Sequence, residues 1–180
     1  MSLYAIEMFF DKEADASIRS IWRDLYDSKI PSYMHKSSSI PHISLTVFNQ
    51  LDIDDCIKRL SKFAETTHSI EVSLSSIGSF PTDEGALFIA PVVTDHLLKL
   101  HNKFHTEFED LRKDQWEYYL PGNWVPHTTL ALIKDKSVLS AAFQRIKENY
   151  QVIQARIESV GIVEYTPVKV ISRFEFIISN

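Results

Sequence analysis

Two short segments of the chain carry the same pair of polar residues at the same spacing. His42 and Ser44 lie in PHISLTVF, the first motif, and His127 and Thr129 lie in PHTTLALI, the second motif. Histidine can take or give a proton near neutral pH because its ordinary pKa is about 6.5. Cleavage of a phosphodiester requires one imidazole as a base, a second as an acid, and donors that bind the phosphoryl oxygens. The two motifs therefore indicate acid–base chemistry at a phosphate, provided that the fold brings them together.

Both motifs have the β-branched and apolar content of a strand. Side chains alternate between the two faces of a strand, so His42 and Ser44 share one face, about 6.6 Å apart along the backbone. In the second motif the same alternation predicts Leu130 and Leu132 on the core face and Thr129 on the other. Each motif is thus expected to present an imidazole and a hydroxyl together.

The predicted elements of the second half of the chain repeat the order of the first half. Apolar spacing predicts strand, helix, strand, helix and strand over about residues 1–80. The same order follows over about residues 84–180, with one more strand at the end. We therefore predict an α+β fold in which two related halves form a single domain across residues 1–180.

The spacing of two glycines supports this duplication. Gly78 follows His42 by 36 positions and Gly161 follows His127 by 34, in the similar settings SSIGSF and ESVGIV. If the halves face each other about a pseudo-twofold axis, the two motifs converge on one groove that holds two histidines and two hydroxyls.

Two His-x-Ser/Thr motifs in matched strands of a duplicated chain resemble those of the two-histidine phosphoesterase superfamily. This superfamily includes the 2′,5′ RNA ligase and cyclic nucleotide phosphodiesterase groups, and the resemblance covers nearly the whole chain. It implies a duplicated two-lobe architecture, with antiparallel sheets backed by helices and a central groove. It also implies that His42 and His127 are the catalytic pair and that Ser44 and Thr129 bind the phosphate.

The resemblance implies a metal-independent phosphodiesterase that needs no cofactor and acts on a nucleotide or oligonucleotide. The bond cleaved would be a 2′,3′-cyclic phosphate or a 2′,5′ linkage. Members of the RNA ligase group commonly have Arg at the end of the second motif, where this chain has Leu132. The phosphoesterase assignment is therefore better supported than 2′,5′ RNA ligation, which stays open as an alternative.

Two alternatives of another kind also remain. One is an RNA-binding or nucleotide-binding module without turnover. The other is a metal-dependent hydrolase built on His101 and His105, which have metal-ligand spacing on a predicted helix but lack the Glu of a His-Glu-x-x-His site. We expect these two histidines to flank the apolar stripe of that helix at its solvent edge, with no metal bound.

Aromatic residues near the motifs are candidates for substrate binding. Tyr119 and Trp124 precede the second motif, and Tyr33 and Lys36 precede the first. An aromatic ring can stack on a nucleobase, which is worth about 1–3 kcal/mol per base. The alternative is that most of the aromatic residues before the second motif are simply part of the core.

Composition limits the remaining possibilities. The 19 basic and 24 acidic residues give a net charge of −5, so a nucleic acid must be bound locally rather than by a general positive field. The single cysteine, Cys56, suits a reducing compartment. No apolar run reaches the about 18 residues of a membrane span. We expect a monomer in the cytoplasm, with no membrane association.

Overall fold

The computed structural model describes residues 3–30, 33–165 and 167–178. Its strands are β1 (Leu3–Phe10), β2 (His42–Phe48), β3 (Ile70–Ser79), β4 (Ala86–Pro91), β5 (Thr128–Leu132), β6 (Ile153–Tyr165) and β7 (Lys169–Glu175). Its α-helices are α1 (Lys12–Asp27), α2 (Tyr33–Lys36), α3 (Ile53–Glu65), α4 (Asp95–Glu107) and α5 (Lys136–Asn149). Two 3₁₀ turns, Glu109–Asp114 and Glu117–Tyr119, lie between α4 and β5.

The seven strands form one antiparallel sheet with the order β2-β1-β6-β3-β4-β5, and β7 pairs with β6. This order reads the same from either end when β1, β2 and β3 are exchanged for β4, β5 and β6. The centre of symmetry is the β3–β6 pair. The two sequence halves therefore exchange one strand each at the centre of one continuous sheet, because β6 lies between β1 and β3.

The longer helices begin at side-chain caps that the sequence supplies. Asp11, Asp52, Thr94 and Asp135 each accept a backbone N–H from the first turn of the helix that follows. Such a cap satisfies an otherwise unpaired donor and is typically worth about 1 kcal/mol. The apolar stripes of these helices pack on the sheet, and a single cluster of buried residues runs through both halves.

The fold agrees with the predicted α+β class and the antiparallel sheet backed by helices. The two-lobe arrangement and the division at about residue 80 stay predictions, since the sheet is continuous. One difference from the predicted order of elements is α2, an additional single turn of helix between α1 and β2. Among the described residues, none of the helices combines the length and the apolarity that crossing a membrane requires.

Candidate active site

The sheet brings the two motifs together although they lie at its opposite ends. His42 is the first residue of β2, and His127 immediately precedes β5. β2 and β5 are the outer strands of the sheet order, yet they contact each other, so the sheet must curve strongly. The histidines are close enough that positive charge on His42 lowers the pKa of His127. The predicted convergence of the motifs therefore occurs in the structure.

Both catalytic candidates are oriented by the same local hydrogen bond. The Nδ1 atom of His42 lies 2.6 Å from the carbonyl oxygen of Ile40, and Nδ1 of His127 lies 2.7 Å from that of Val125. A carbonyl oxygen only accepts, so Nδ1 carries the proton in each ring. The neutral imidazoles therefore keep an unprotonated Nε2, the atom that proton transfer to or from a substrate needs.

Two tryptophans connect each motif to the other half of the chain. Nε1 of Trp22, on α1, donates to the carbonyl of Thr129 at 3.1 Å. Nε1 of Trp124, in the second half, donates to the carbonyl of Ser44 at 2.9 Å. The backbone of each motif is therefore held at its hydroxyl-bearing residue by the half to which it does not belong.

A buried carboxylate lies behind His42. Oε2 of Glu7, on β1, is 3.3 Å from Nδ1 of His42, and Glu7 is only 2% exposed. The hydroxyl of Tyr165, on β6, donates to Oε1 of Glu7 at 2.7 Å. Burial raises the pKa of Glu7, while His42 and the Tyr165 hydroxyl act in the opposite direction. An ionised Glu7 in this interior has His42 as its counter-ion.

Ser44 adds two tyrosines to this network. Its side chain interacts with those of Tyr119 and Tyr165 and lowers the pKa of both phenols. Burial and the nearby carboxylate of Glu7 outweigh that effect, raising the pKa of Tyr119 to about 12 and that of Tyr165 well above its ordinary value. Both phenols therefore stay protonated at neutral pH and can donate hydrogen bonds near the first motif.

The surroundings of His127 are aromatic instead. Its ring lies 4.8 Å from that of Phe80, edge to face, and 5.3 Å from that of Phe88. Burial lowers the pKa of His127, the hydrogen bond to Val125 opposes that shift, and His42 adds to it. The surroundings of His127 therefore favour its neutral form.

Glu7 and Phe88 occupy equivalent positions in the two halves. Glu7 pairs with Ser44 on β2 and with Gly161 on β6. Phe88 pairs with Thr129 on β5 and with Gly78 on β3. The strand pairing shifts register immediately before Glu7 and immediately before Phe88. Such irregularities re-aim side chains beside active sites. The duplicated scaffold thus carries a carboxylate behind one histidine and a phenyl ring behind the other.

Among the other predicted substrate-binding residues, Trp124 and Tyr119 lie at the site. One face of the Trp124 indole stacks on His101, with ring centroids 3.9 Å apart, so this residue is partly structural. Tyr33 and Lys36 lie on α2, which packs against β5. Tyr33 is exposed, and the ammonium of Lys36 lies over the ring of Tyr26. Their contact with a substrate stays a prediction.

The prediction that His101 and His105 lie at a solvent edge is wrong. They are 1% and 5% exposed, and their Nε2 atoms are 3.0 Å apart. Nε2 of His101 also lies 2.9 Å from the carbonyl of Tyr119. Burial, followed by the charge on its partner, lowers the pKa of His101 to about 4. Across residues 3–30, 33–165 and 167–178, no group of three or more His, Cys, Asp or Glu is arranged to hold a metal ion.

The prediction that Leu132 faces the core is also wrong, because this residue is 42% exposed. Leu132 ends β5, and the register shift in the β4–β5 pairing breaks the strict alternation. Ala131 is fully buried in consequence, next to the buried Leu130.

Glu7, Tyr165 and Trp22 were not anticipated from the sequence. A signal for Glu7 existed, since it is the one charged residue in the apolar segment LYAIEMFF. A charge within a buried strand is costly unless it is paired, so such a residue is a candidate for function. Tyr165 and Trp22 had no comparable signal, because tyrosine and tryptophan are common in strands and helix cores.

Comparison with solved structures shows the same fold in proteins of low sequence identity. TT0787 of Thermus thermophilus has a TM-score of 0.66 at 18% identity, with all of both chains covered. E. coli LigT complexed with 3′-AMP has a TM-score of 0.62 at 12% identity, with 98% of each chain covered. A crystal structure of a phosphoesterase has a TM-score of 0.61 at 12% identity, covering 98% of this chain and 99% of that one.

No curated protein matches the sequence. The sequence profile of the 2′-5′ RNA ligase superfamily, however, matches residues 10–168. This match spans most of the chain and both motifs, which confirms the resemblance that the motifs indicated. The chain belongs to the 2′-5′ RNA ligase superfamily.

Proposed function

We propose that the protein is a phosphodiesterase that uses His42 and His127 as an acid–base pair on a nucleotide or oligonucleotide. The bond cleaved is a 2′,3′-cyclic phosphate or a 2′,5′ phosphodiester. Membership of the superfamily supports phosphodiesterase or ligase chemistry. Crystal structures of E. coli LigT with 3′-AMP, ATP and NADP+ support a nucleotide as the ligand.

The observation that carries this proposal is the matched orientation of the two imidazoles. In each motif Nδ1–H donates a hydrogen bond to a backbone carbonyl, which leaves Nε2 of His42 and of His127 open for proton transfer. A protein that only binds nucleotides has no need of a matched acid and base.

Opening of a cyclic phosphate uses these groups directly. One histidine takes a proton from water as its oxygen attacks phosphorus, and the other gives a proton to the departing ribose oxygen. The hydroxyls of Ser44 and Thr129 hold the nonbridging oxygens as charge develops on them. No proton transfer in this scheme needs a metal ion. Cleavage of a 2′,5′ linkage needs the same two transfers, as does the reverse, ligation.

The experiment is hydrolysis of nucleoside 2′,3′-cyclic phosphates and 2′,5′-linked dinucleotides in the presence of a chelator. General acid or base catalysis is worth about 10²–10⁴-fold, so His42→Ala and His127→Ala should each lose that much activity. The matched control is His96→Ala, which removes an exposed histidine at the start of α4. It should retain wild-type turnover.

The other outcomes decide between the alternatives. Saturable nucleotide binding without product, in a folded protein, would favour a binding module. Activity that disappears on chelation would favour a metal-dependent enzyme. Joining of RNA ends that is faster than cleavage would favour the ligase. A rate that is flat between about pH 5 and 8 would contradict acid–base catalysis by two histidines.

A further inference from the structure

The two halves place chemically opposite side chains behind their histidines, although the surrounding backbone is the same. Glu7 and Phe88 have equivalent strand partners, and each follows a register shift. The carboxylate of Glu7 reaches Nδ1 of His42, whereas the ring of Phe88 packs on His127. A duplicated fold that needed two identical histidines would have no reason for this difference.

We infer that Glu7 is a positioning residue that makes His42 the general acid, leaving His127 as the general base, in the opening of a cyclic phosphate. This inference rests on the proposed function. Glu7 does not reach the substrate in this scheme. It acts through the Nδ1 side of the His42 ring, and the hydroxyl of Tyr165 holds its other oxygen in place.

Electrostatics favour this assignment. An imidazolium in a partly buried site needs a counter-charge, and an opposite charge within about 4–6 Å stabilises the charged form. Glu7 supplies that charge to His42 at 3.3 Å. His127 has Phe80 and Phe88 beside it, and a proton on His42 makes protonation of His127 less favourable. When the pair holds a single proton, that proton therefore lies on His42.

The step balances with these roles. Nε2 of neutral His127 takes a proton from water, and the water oxygen forms a bond to phosphorus. The bond from phosphorus to the ribose oxygen breaks, and Nε2–H of His42 gives its proton to that oxygen. The product is a phosphomonoester with a free ribose hydroxyl. Exchange of one proton each with solvent returns His42 to the charged form and His127 to the neutral form.

The first experiment compares substrates that differ only in the atom that leaves. In one the departing ribose oxygen of the cyclic phosphate is retained, and in the other it is replaced by sulfur. A thiolate leaves without being protonated, so loss of a general acid matters little for the sulfur substrate. Glu7→Gln should lower kcat about 10- to 100-fold on the oxygen substrate, with KM nearly unchanged, because only the acid step weakens. The loss should be within about threefold on the sulfur substrate.

The two histidine variants provide the comparison. His42→Ala should follow the pattern of Glu7→Gln, with a larger loss that sulfur also rescues. His127→Ala should be impaired on both substrates, because water must still lose its proton. The matched control is Glu71→Gln, which removes an exposed carboxylate on β3 and should leave both rates unchanged. Rescue of His127→Ala instead of His42→Ala would overturn the assignment.

A double-mutant cycle separates positioning from a structural role. If Glu7 acts through His42, then Glu7→Gln should have almost no further effect in a His42→Ala background. An equal loss in both backgrounds would overturn the inference.

NMR of the two imidazoles at a single pH near neutrality tests the inference without turnover. The ring-nitrogen signals should show the larger share of imidazolium on His42, and Glu7→Gln should remove that preference. The titratable groups that face His42 are Glu7, Tyr165 and His127, with Tyr119 next to Ser44. A wild-type protein with this preference but without turnover would contradict the proposed function and leave the inferred proton distribution standing. A preference for His127 would overturn the inference itself.

Discussion

The two halves of the site share the hydrogen bonds that their backbone carbonyls accept, and they differ in the side chains around each histidine. Both motifs fix Nδ1 of the histidine to the carbonyl two residues earlier, and both accept a tryptophan N–H from the other half. The first motif, however, is surrounded by a carboxylate and two phenols, and the second by phenyl rings. The common part orients the two imidazoles. In the inferred mechanism, the part that differs decides which imidazole holds the proton.

Different side chains around the two histidines allow a duplicated fold to perform a reaction that is not symmetric. Phosphoryl transfer in one direction needs an acid on one side and a base on the other. Two identical half-sites would share one proton equally between them. In the inferred mechanism, the carboxylate of Glu7 opposite the ring of Phe88 breaks that equality. The hydrogen bond from Nδ1 to a backbone carbonyl is the same in both motifs.

Apart from the histidine variants, the largest effect is expected from removal of the two hydroxyls that we propose to bind the phosphate. Ser44→Ala and Thr129→Val each delete one donor, and loss of such a donor typically costs about 10²–10³ in kcat. Equal losses in kcat with unchanged KM would show that the halves act alike on the transition state. If either variant keeps wild-type kcat on the cyclic phosphate, then that hydroxyl does not bind the reacting phosphate.

The next largest effect is the loss of stability when the equivalent glycines Gly161 and Gly78 are each replaced by alanine. A Cβ at Gly161 would overlap the carbonyl oxygen of Ser172, within the β6–β7 backbone pairing. A Cβ at Gly78 would lie 2.6 Å from the outer ring atoms of Phe88, which is a side chain that can move. Overpacking costs about 1–3 kcal/mol in the free energy of unfolding. We expect Gly161→Ala to lose at least the upper value of this range and Gly78→Ala to lose close to the lower value. Urea unfolding measures both.

Turnover of the Gly78→Ala variant tests the position of the Phe88 ring. Gly78→Ala should reduce turnover by more than its loss of stability explains, because the displaced Phe88 ring packs on His127. A Gly78→Ala protein that is less stable than Gly161→Ala would contradict this difference in packing. An unchanged kcat would show that displacement of the Phe88 ring does not disturb His127.

A smaller effect is expected on stability at acidic pH, because the buried His101 supports the first motif. The pKa of His101 is about 4 in the folded protein, below its ordinary value of 6.5, so the unfolded chain binds more protons between these values. Stability should therefore fall as the pH is lowered from about 6.5 to about 4. His101 stacks on Trp124, whose Nε1 donates a hydrogen bond to the carbonyl of Ser44. The first motif should therefore lose part of its support over the same pH range. His101→Gln should flatten the dependence of the unfolding free energy on pH. An unchanged slope would show that other groups cause it.

The smallest effect is expected from the tryptophan hydrogen bonds. Trp22→Phe and Trp124→Phe each remove an N–H whose hydrogen bond is worth about 1 kcal/mol. Each also removes part of the indole, and the cavity left behind adds to the loss at the buried Trp22. Thermal unfolding should therefore show the larger loss for Trp22→Phe, and a larger loss for Trp124→Phe would contradict this ranking.

The sequence predicted the parts of this site that depend on local pattern. The motifs, their strands and the duplicated order of elements follow from apolar spacing and from repetition. The side chains around each histidine could not be predicted, because Glu7 reaches the first motif through the pairing of β1 with β2, and Tyr165 reaches Glu7 from 158 residues along the chain. The error at Leu132 has the same cause, since a register shift depends on the partner strand. His101 and His105 were predicted at the surface because a polar residue is normally exposed. Their burial is possible because the two rings form a hydrogen bond with each other.

The central position of β6 has a consequence for how the chain is made. β1 pairs with β2 on one edge, but its other edge pairs with residues 157–165 of β6 and must wait until β6 has been synthesised. Translation proceeds at about 5–20 residues per second, so completed β1 and β3 edges are unpaired for several seconds. Unpaired strand edges can join other chains, and pairing at this distance is slow to form. Glu7 then has a second effect, because a charge in the middle of β1 opposes aggregation of that edge until β6 arrives.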